Sequence, residues 1–376
     1  MCGLGNIGLH GRHAGVGKVS RVLFFSRVTA EPNARGNATY MLDLMRALGE
    51  AGFEVELAVL QAPDDPPGAW NARVTEGERA WARQRMAERP APVVLVNYAC
   101  LADILDDAPA GTLTAILTHD VCSLRGDSFA CAGASQDGLR WAAERESQLL
   151  AKARLLVAIQ EAEAEALQAL APNARIVLAP FSARPSPLTG PAVPGRCLFV
   201  GSDADHNHFN LLWFLDAVWP MVLAGNPAAS LDVCGTVNHR IKRCFPSTVM
   251  HGRVEELMPH YAAAQLCLVP LRVGSGLEIK LVEALSYGKP CVVSSAALPT
   301  LPECCRTAVL SANDANSFAA EMLRGLADPV LREDLGARAM ACTEHCFHPR
   351  KTYAALVQRL SDHCAGFSRD NPSAAQ

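Results

Sequence analysis

The stretch "GSGLEIKLVEALSYGKP", residues 274 to 290, gathers the side chains best suited to chemistry. Gly274 and Gly276 flank Ser275, and Leu277, Glu278, Lys280 and Glu283 follow in a helical apolar pattern before Gly-Lys-Pro. The stretch comes after the apolar run "QLCLVPL". A strand that ends in glycines and turns into a helix suits an anion. Backbone without a Cβ approaches the ligand closely, and the first N–H groups of the helix face it with the positive dipole end. Lys280 adds a cation in the first turn. Glu283, further along, is a carboxylate that can accept two hydrogen bonds from a ribose diol. Phosphates at the glycines and a ribose at Glu283 make a nucleoside diphosphate. The rival is a buried strand–loop–helix turn with a solvated lysine and glutamate, and spacing alone does not choose between them.

Other candidates are weaker. The leader "MCGLGNIGLHGRHAGVGKVSR" contains "GVGK", but Gly11 and Gly17 are one position too far apart for a P-loop. Val19 stands where magnesium needs Ser or Thr, and the segment precedes the first strand, so residues 1–19 read as a flexible leader. The segment "CTEHCFH", Cys342 to His348, has ligand-type residues but no second pair at a recognisable spacing, so a plain helix is expected there. No residue is assigned to a metal. Most of the 14 cysteines lie in apolar runs, among them Cys197, Cys234, Cys267 and Cys291. They read as small buried hydrophobes in a reducing cytoplasm, not as a disulfide framework.

These residues need a scaffold. The 376 residues, half of them hydrophobic, suffice for two cores. A formal charge of -4 gives no reason to expect nucleic acid as partner. No apolar run reaches the length of a membrane span. Strand and helix patterns alternate from "RVLFFS", residues 21 to 26, through "ATYMLDLMRALGEAG" and "FEVELAVL", to "PVVLVNY", "LTAILTHD" and "ARIVLAP". A long helix is expected over "GLRWAAERESQLLAKA". Residues 181–195, with four prolines, read as a linker. A second α/β unit begins at "RCLFVGS" and runs to about residue 345; residues 346–364 read as a C-terminal helix and 365–376 as a disordered tail. Two Rossmann-like domains, residues 20–180 and 196–345, should face one another across a cleft, with ligands at the carboxyl ends of the strands.

The stretch "GSGLEIKLVEALSYGKPCVVSS" resembles the donor-binding signature of the group 1 glycosyltransferases, retaining enzymes of the GT-B fold. "LFVGSDADHNHFNLLWFLDAVWP" is similar to the start of that family's C-terminal domain. "HGRVEELMPHYAAAQLCLVPL" resembles its Gly-x-Val segment, "RVLFFSRVTAEPNARGNATYMLDLMRALGEAGFEVELAVL" its first strand, glycine loop and helix, and "AILTHDVCSLR" its His-Asp segment. The likeness covers about residues 20 to 360. It implies a GT-B fold whose C-terminal helix packs back toward the N-domain.

It also implies roles. Glu283 matches the glutamate used on the ribose. The family's other glutamate should stand at Ser275, a departure common to relatives with a Gly-Ser-Gly loop. Lys280 matches a lysine of that subgroup, and Glu278 stands where a basic residue is more usual. Gly252 and Val254 match the segment that meets the nucleobase. Ser202 and Asn207 occupy the region where many relatives place a basic pair. His119 matches the histidine pointed at the transferred sugar, and Gly36 the N-terminal loop glycine near phosphates and acceptor; Asp120 reads as structural. The implied reaction is metal-independent hexosyl transfer from a nucleotide-diphosphate sugar, as co-substrate and not cofactor, with retention at the anomeric carbon. The acceptor would be a glycan, lipid-linked or small molecule, with a place in polysaccharide biosynthesis and possible peripheral contact at the inner membrane face. Two rivals share the fold: a non-catalytic binding or scaffold subunit, favoured by Ser275 and Glu278, and a nucleotide-sugar epimerase, for which no convincing carboxylate set stands out. A nicotinamide dehydrogenase fails because no G-x-G-x-x-G follows the first strand.

Overall fold

The computed structural model describes residues 20–29, 36–60, 71–136, 138–188, 190–274 and 276–370. The chain divides into two compact units: residues 1–123, 138–180 and 352–376 form the first, residues 124–137 and 181–351 the second. The leader 1–19, Ser275 and the tail beyond 370 lie outside the described residues.

The first unit is a six-stranded, wholly parallel sheet in the order β2-β1-β3-β4-β5-β6. Its strands are β1 (Arg21–Ser26), β2 (Glu54–Val59), β3 (Val93–Asn97), β4 (Leu113–Leu117), β5 (Leu155–Ala158) and β6 (Arg175–Leu178). The central strands β1, β3, β4 and β5 are buried along their whole length, as runs of Val, Ile, Leu and Phe covered on both faces must be. The helices that pack on the sheet are α1 (Gly36–Glu50), α2 (Glu76–Glu88), α4 (Ala143–Leu150) and α5 (Glu161–Leu170), while α3 (Cys122–Cys131) starts in this unit and passes into the second. Thr75 caps α2 with a reciprocal pair of bonds to Glu78. Two corrections apply to the sequence expectations. The long helix over 138–153 shrinks to α4, and α3 forms where no helix was expected.

The second unit repeats the plan, with parallel strands in the order β12-β11-β10-β7-β8-β9. They are β7 (Arg196–Val200), β8 (Ser230–Cys234), β9 (Thr248–Gly252), β10 (Leu266–Val269), β11 (Cys291–Ser294) and β12 (Val309–Ala312). The helices are α6 (Asp205–Trp213), α7 (Trp219–Gly225), α8 (Met258–Ala263), α9 (Ile279–Ser286), α10 (Ala315–Ala327), α11 (Pro329–Cys342) and α12 (Pro349–Thr352). A π-turn, Phe214–Val218, joins α6 to α7. Trp219, Phe214 and Phe318 anchor the core between the sheet and α6, α7 and α10. The last helix, α13 (Ala354–Asp370), belongs to the first unit, where Tyr353 donates to Asp43 at 2.5 Å and His363 meets the Pro92 carbonyl. The helix expected over 346–364 thus starts only at 354, and residues 365–370, expected in a disordered tail, are its last turns.

Chain order reverses between β7 and β10 in the second sheet and between β1 and β3 in the first. Such switch points open a crevice at the carboxyl ends of the strands, where open parallel sheets bind ligands.

Among the described residues no helix is long and apolar enough to cross a membrane. The cysteine expectation needs one correction. Cys197, Cys234, Cys267 and Cys291 are free and buried as expected, but Cys305 and Cys342 form a disulfide.

Candidate functional site

Three glycine-bearing ends line the carboxyl edge of the second sheet. Gly201 follows β7, Gly235 follows β8, and Gly252 ends β9. The N–H of Gly201 donates to the Cys234 carbonyl at 3.0 Å, and that of Gly235 to Gly252 at 2.7 Å. A Cβ on Gly235 would overlap the Gly201 carbonyl, and its φ of +104° suits glycine alone. The loops therefore stack too tightly for any side chain at that position.

Across the switch point, β10 leads through Arg272–Gly276 into α9. Asn210 of α6 clamps this loop. Its Oδ1 accepts from the N–H groups of Arg272 and Val273 at 2.8 and 3.1 Å, and its Nδ2 donates to the Val273 carbonyl at 2.9 Å. Gly274 takes φ +129°, Gly276 φ +85°. A side chain on Gly274 would press on Leu271 and the His206 ring side, and Ser128 Oγ accepts from the Gly274 N–H at 3.2 Å. The glycines are thus required by the turn as well as open to a ligand.

Lys280, one residue into α9, is at the centre of a connected cluster. Its Nζ donates to Asn207 Oδ1 at 2.6 Å, pairs with Glu278 at 3.0 Å and lies over the Phe199 ring. Asn207 in turn donates to the carbonyl and hydroxyl of Ser202 at 3.1 and 3.2 Å. Ser202, Asn207 and Lys280, chosen separately from sequence, are therefore one hydrogen-bonded chain spanning the switch point. Glu278 points inward. Burial works to raise its carboxyl, but Lys280 and His206 outweigh that and hold it below the ordinary range. His206 is pushed down to about 4, chiefly by burial, so its imidazole is neutral near pH 7. Neither His206 nor Asn210 was picked from sequence; both lie on the polar first face of α6 that the helical apolar pattern, starting at Leu211, does not cover.

Glu283 sits one turn beyond Lys280. Tyr261 of α8 donates to its Oε2 at 3.2 Å. Burial raises the Glu283 carboxyl from 4.5 to about 7, only partly countered by the Tyr261 bond. Tyr261 is fully buried, so nothing in the sequence pattern marked it beyond an apolar helical position. After α9, Gly288 adopts φ +67° and the chain closes with N–H bonds from Gly288 to Leu285 and from Lys289 to Ala284, both 3.0 Å. This explains "GKP": glycine stops the helix against α11, Lys289 reaches the Ala262 carbonyl at 3.3 Å, and proline leads into β11. Gly252 and Val254 lie at the open end of β9, half-buried.

The triplet Asp203-Ala204-Asp205 has Asp-x-Asp spacing, which corrects the sequence expectation that no Asp-x-Asp motif appears. Both carboxylates pair with Arg240 at 2.5 Å, which makes the triplet the anchor of the α6 entrance.

In the first unit, His119 and Tyr98 end β4 and β3, both with positive φ, +59° and +74°. Their rings stack at 4.2 Å, and Tyr40 of α1 meets the His119 ring edge-on at 5.3 Å. His119 Nε2 bonds Asn97 Oδ1 at 2.5 Å, and Asn97 Nδ2 donates to Ser26 Oγ at 2.9 Å. Burial pushes the imidazole down to about 3, so it is neutral. Gly36 opens α1, one turn before Tyr40. Tyr40, which meets His119, thus lies one turn after Gly36 on α1. Tyr98, with its ring stacked on His119, is a further member of this group.

The architecture is that of the GT-B fold, two parallel-sheet Rossmann-like units with a C-terminal helix returning to the first. Among solved structures, sucrose-phosphate synthase of Thermosynechococcus elongatus superposes with a TM-score of 0.70 at 16% identity, over 93% of this chain and 100% of that one. An alpha,alpha-trehalose-phosphate synthase (UDP-forming) of Burkholderia vietnamiensis gives 0.64 at 13% identity, over 92% and 100%. The pneumococcal O-GlcNAc transferase GtfA, solved with UDP and GlcNAc, gives 0.56 at 15%, over 76% of this chain and 59% of that chain. No curated protein matches the sequence. Residues 194–328 match the family described as Glycosyl transferases group 1. That span holds α6, α8, α9 and the three glycine-bearing strand ends of the second unit.

Proposed function

We propose that the chain transfers a sugar from a nucleoside-diphosphate sugar to a hydroxyl acceptor with retention at the anomeric carbon. The observation that carries this reading is Glu283: a carboxylate held beside Tyr261, one turn into the helix that leaves a two-glycine loop at the switch point. The diphosphate would lie on the loop Gly274, Ser275, Gly276 and Leu277 and on the first N–H groups of α9. Glu283 would take the ribose diol, and Gly252 and Val254 would meet the base through their backbone. GtfA was solved with UDP and the trehalose-phosphate synthase is UDP-forming, which favours a uridine nucleotide as the first donor to try.

In the reaction, the bond from the anomeric carbon to the diphosphate oxygen breaks. The acceptor oxygen bonds the same face, and its proton passes to the departing phosphate oxygen. This chain's residues would bind, orient and exclude water. The neutral His119 would hold the transferred sugar by hydrogen bonding, and Gly36 with the start of α1 would leave room for phosphates and acceptor. The acceptor could be a glycan, a lipid-linked saccharide or a small molecule, and cytoplasmic work at a membrane face fits this reading. No cofactor or metal has a part in it.

The second reading, a binding subunit without catalysis, rests on one feature: Lys280 already has Glu278 as its counter-charge. A thermal-shift screen of the purified chain against UDP, GDP, ADP, CMP and NAD, with Glu283→Ala as control, separates them. A rise with one nucleoside diphosphate that the variant loses supports the donor site and names the base. Release of free sugar or of a linked product from the matching nucleotide sugar then supports transfer. No shift with any nucleotide refutes the donor site.

A further inference from the structure

Four cysteine sulfurs converge in the second unit, far in sequence from the glycine loop. Cys304 and Cys305 lie in the 3-10 turn Glu303–Ala308, after Pro302. Cys342 ends α11, and Cys346 follows in a π-turn, Thr343–Phe347. Arg338 of α11 ties the two segments by donating to the Thr307 carbonyl at 3.3 Å. Cys304 Sγ is 3.0 Å from Cys346 Sγ and 4.0 Å from Cys305 Sγ. The sulfurs of Cys304, Cys305 and Cys346 all lie within 4.8 Å of one another, and Cys342 is bonded to Cys305.

We propose that in the reduced protein these four cysteines bind one zinc ion as a tetrathiolate. Zinc prefers four thiolates in a tetrahedron, with Zn–S of about 2.3 Å and hence sulfur–sulfur edges of about 3.8 Å. The separations among Cys304, Cys305 and Cys346 bracket that edge, and Cys342 is held against Cys305 by the disulfide that reduction opens. Cys342 and Cys346, four apart, have the C-x3-C spacing of zinc ligand pairs. The missing second pair that argued against a metal at "CTEHCFH" is supplied by Cys304 and Cys305, brought in from the turn before β12. Opening the bond is balanced by a dithiol reductant. Its two thiols become a disulfide while Cys305 and Cys342 become thiols. Zn2+ then takes four thiolates and releases four protons, leaving a site of net charge -2 with Arg306, His345 and His348 beside the ligands in sequence. The ion would fasten the end of α11 to the 3-10 turn, six residues before Thr352, where the chain returns to the first unit. This proposal does not depend on the transferase reading.

The test is metal content. The full chain is reduced with a phosphine, freed of reductant under argon, given excess zinc, dialysed and assayed. The expected result is one zinc per chain, with at least tenfold weaker retention in Cys304→Ser and in Cys346→Ser. These two variants leave the Cys305–Cys342 pair intact, and an unchanged melting temperature of their oxidised forms shows that they fold. Cobalt in place of zinc should give intense tetrahedral bands and thiolate charge transfer. A second cluster, Asp232, His251 and His260, is the competing metal set in the described residues. His251→Asn should leave the zinc in place. Zinc well below one equivalent in the reduced chain, zinc retained in Cys304→Ser, or zinc lost in His251→Asn instead would each overturn the proposal.

Discussion

Glu283→Gln separates stability from function at the proposed ribose site. Glutamine matches the shape of the glutamate and can still accept from Tyr261, but it does not ionise. Burial lifts the Glu283 carboxyl from 4.5 to about 7 in the folded protein. A raised carboxyl favours folding in its neutral form, so its contribution is full below the unfolded value and is lost as pH rises through the folded one. Between 4.5 and about 7, at ~1.4 kcal/mol per pH unit, the loss is at most about 3.5 kcal/mol. The variant should therefore melt with the wild type near pH 4.5 and above it near pH 8. With roughly 2–4 °C per kcal/mol for a unit of this size, the gap at pH 8 reaches at most about 7–14 °C. In the same samples the variant should lose the stabilisation by a nucleoside diphosphate, because a diol needs two acceptor oxygens and the amide offers one. Differential scanning fluorimetry from pH 4.5 to 8.5, with and without the nucleotide, reads both effects. Parallel curves at every pH would refute the buried, raised carboxyl. A nucleotide shift that survives in the variant would refute Glu283 as the ribose ligand.

Glu278→Gln removes the charge that occupies Lys280, so calorimetry should show nucleoside diphosphate binding strengthened by about fivefold, roughly 1 kcal/mol, while the free protein loses stability. Unchanged affinity would mean that Lys280 does not meet the phosphates. Gly235→Ala forces a Cβ into the Gly201 carbonyl at φ +104°, and chemical denaturation should show a loss on the order of 3 kcal/mol or more. Asn210→Ala strips two N–H groups and one carbonyl of the loop of their partner, at about 2–3 kcal/mol, and should weaken nucleotide binding by calorimetry without touching the ligand. His119 is depressed to about 3, so the unfolded chain takes up its proton first and stability is lost as pH falls through 6.5 and below. His119→Gln should flatten that part of an acid melting series.

Much of this protein is legible along the chain, and the exceptions have local causes. The strand "RVLFFS" forms as expected because a continuous apolar run bounded by polar residues has one way to be buried on both faces. The helix expected from residue 138 starts only at 143. Asn71 holds Leu139 extended through two 2.8 Å bonds to its backbone, a partner 68 residues away. Helix α3 escaped notice for a similar reason. Its first N–H groups, Cys122 and Ser123, bond the Glu146 carboxylate at 2.7 and 2.8 Å, so the cap is remote from the helix it caps. The site shows the same division. Gly274, Gly276, Lys280 and Glu283 sit in one stretch and announce themselves by type. Their partners Asn210, His206 and Tyr261 come from α6 and α8, and only folding puts them in reach. Cys304 and Cys305 are invisible as partners of Cys346 until the chain closes a loop of about forty residues.

The physical cost of the candidate site in each unit bears on whether it is in use. In the first unit, two non-glycine residues at adjacent strand ends, Tyr98 and His119, are held at positive φ, a conformation that costs of order 1–3 kcal/mol each. Their stacked rings and the Asn97 bond hold them there, and a leucine or valine at either position in ordinary β conformation would fill a core at less expense. In the second unit, Glu278 and Lys280 form a nearly buried ion pair whose desolvation a hydrophobic pair would avoid. Strain in one unit and buried charge in the other both sit at carboxyl ends of strands beside a switch point, where the fold binds ligands and where packing gains nothing from them. A scaffold needs neither. The arrangement makes sense if Lys280 exchanges Glu278 and Asn207 for a diphosphate, which is why the Glu278→Gln experiment carries more weight than deletion of the lysine. Removal of Lys280 weakens a binding site and a decayed one alike, whereas only a working phosphate site gains affinity when the competing carboxylate is neutralised.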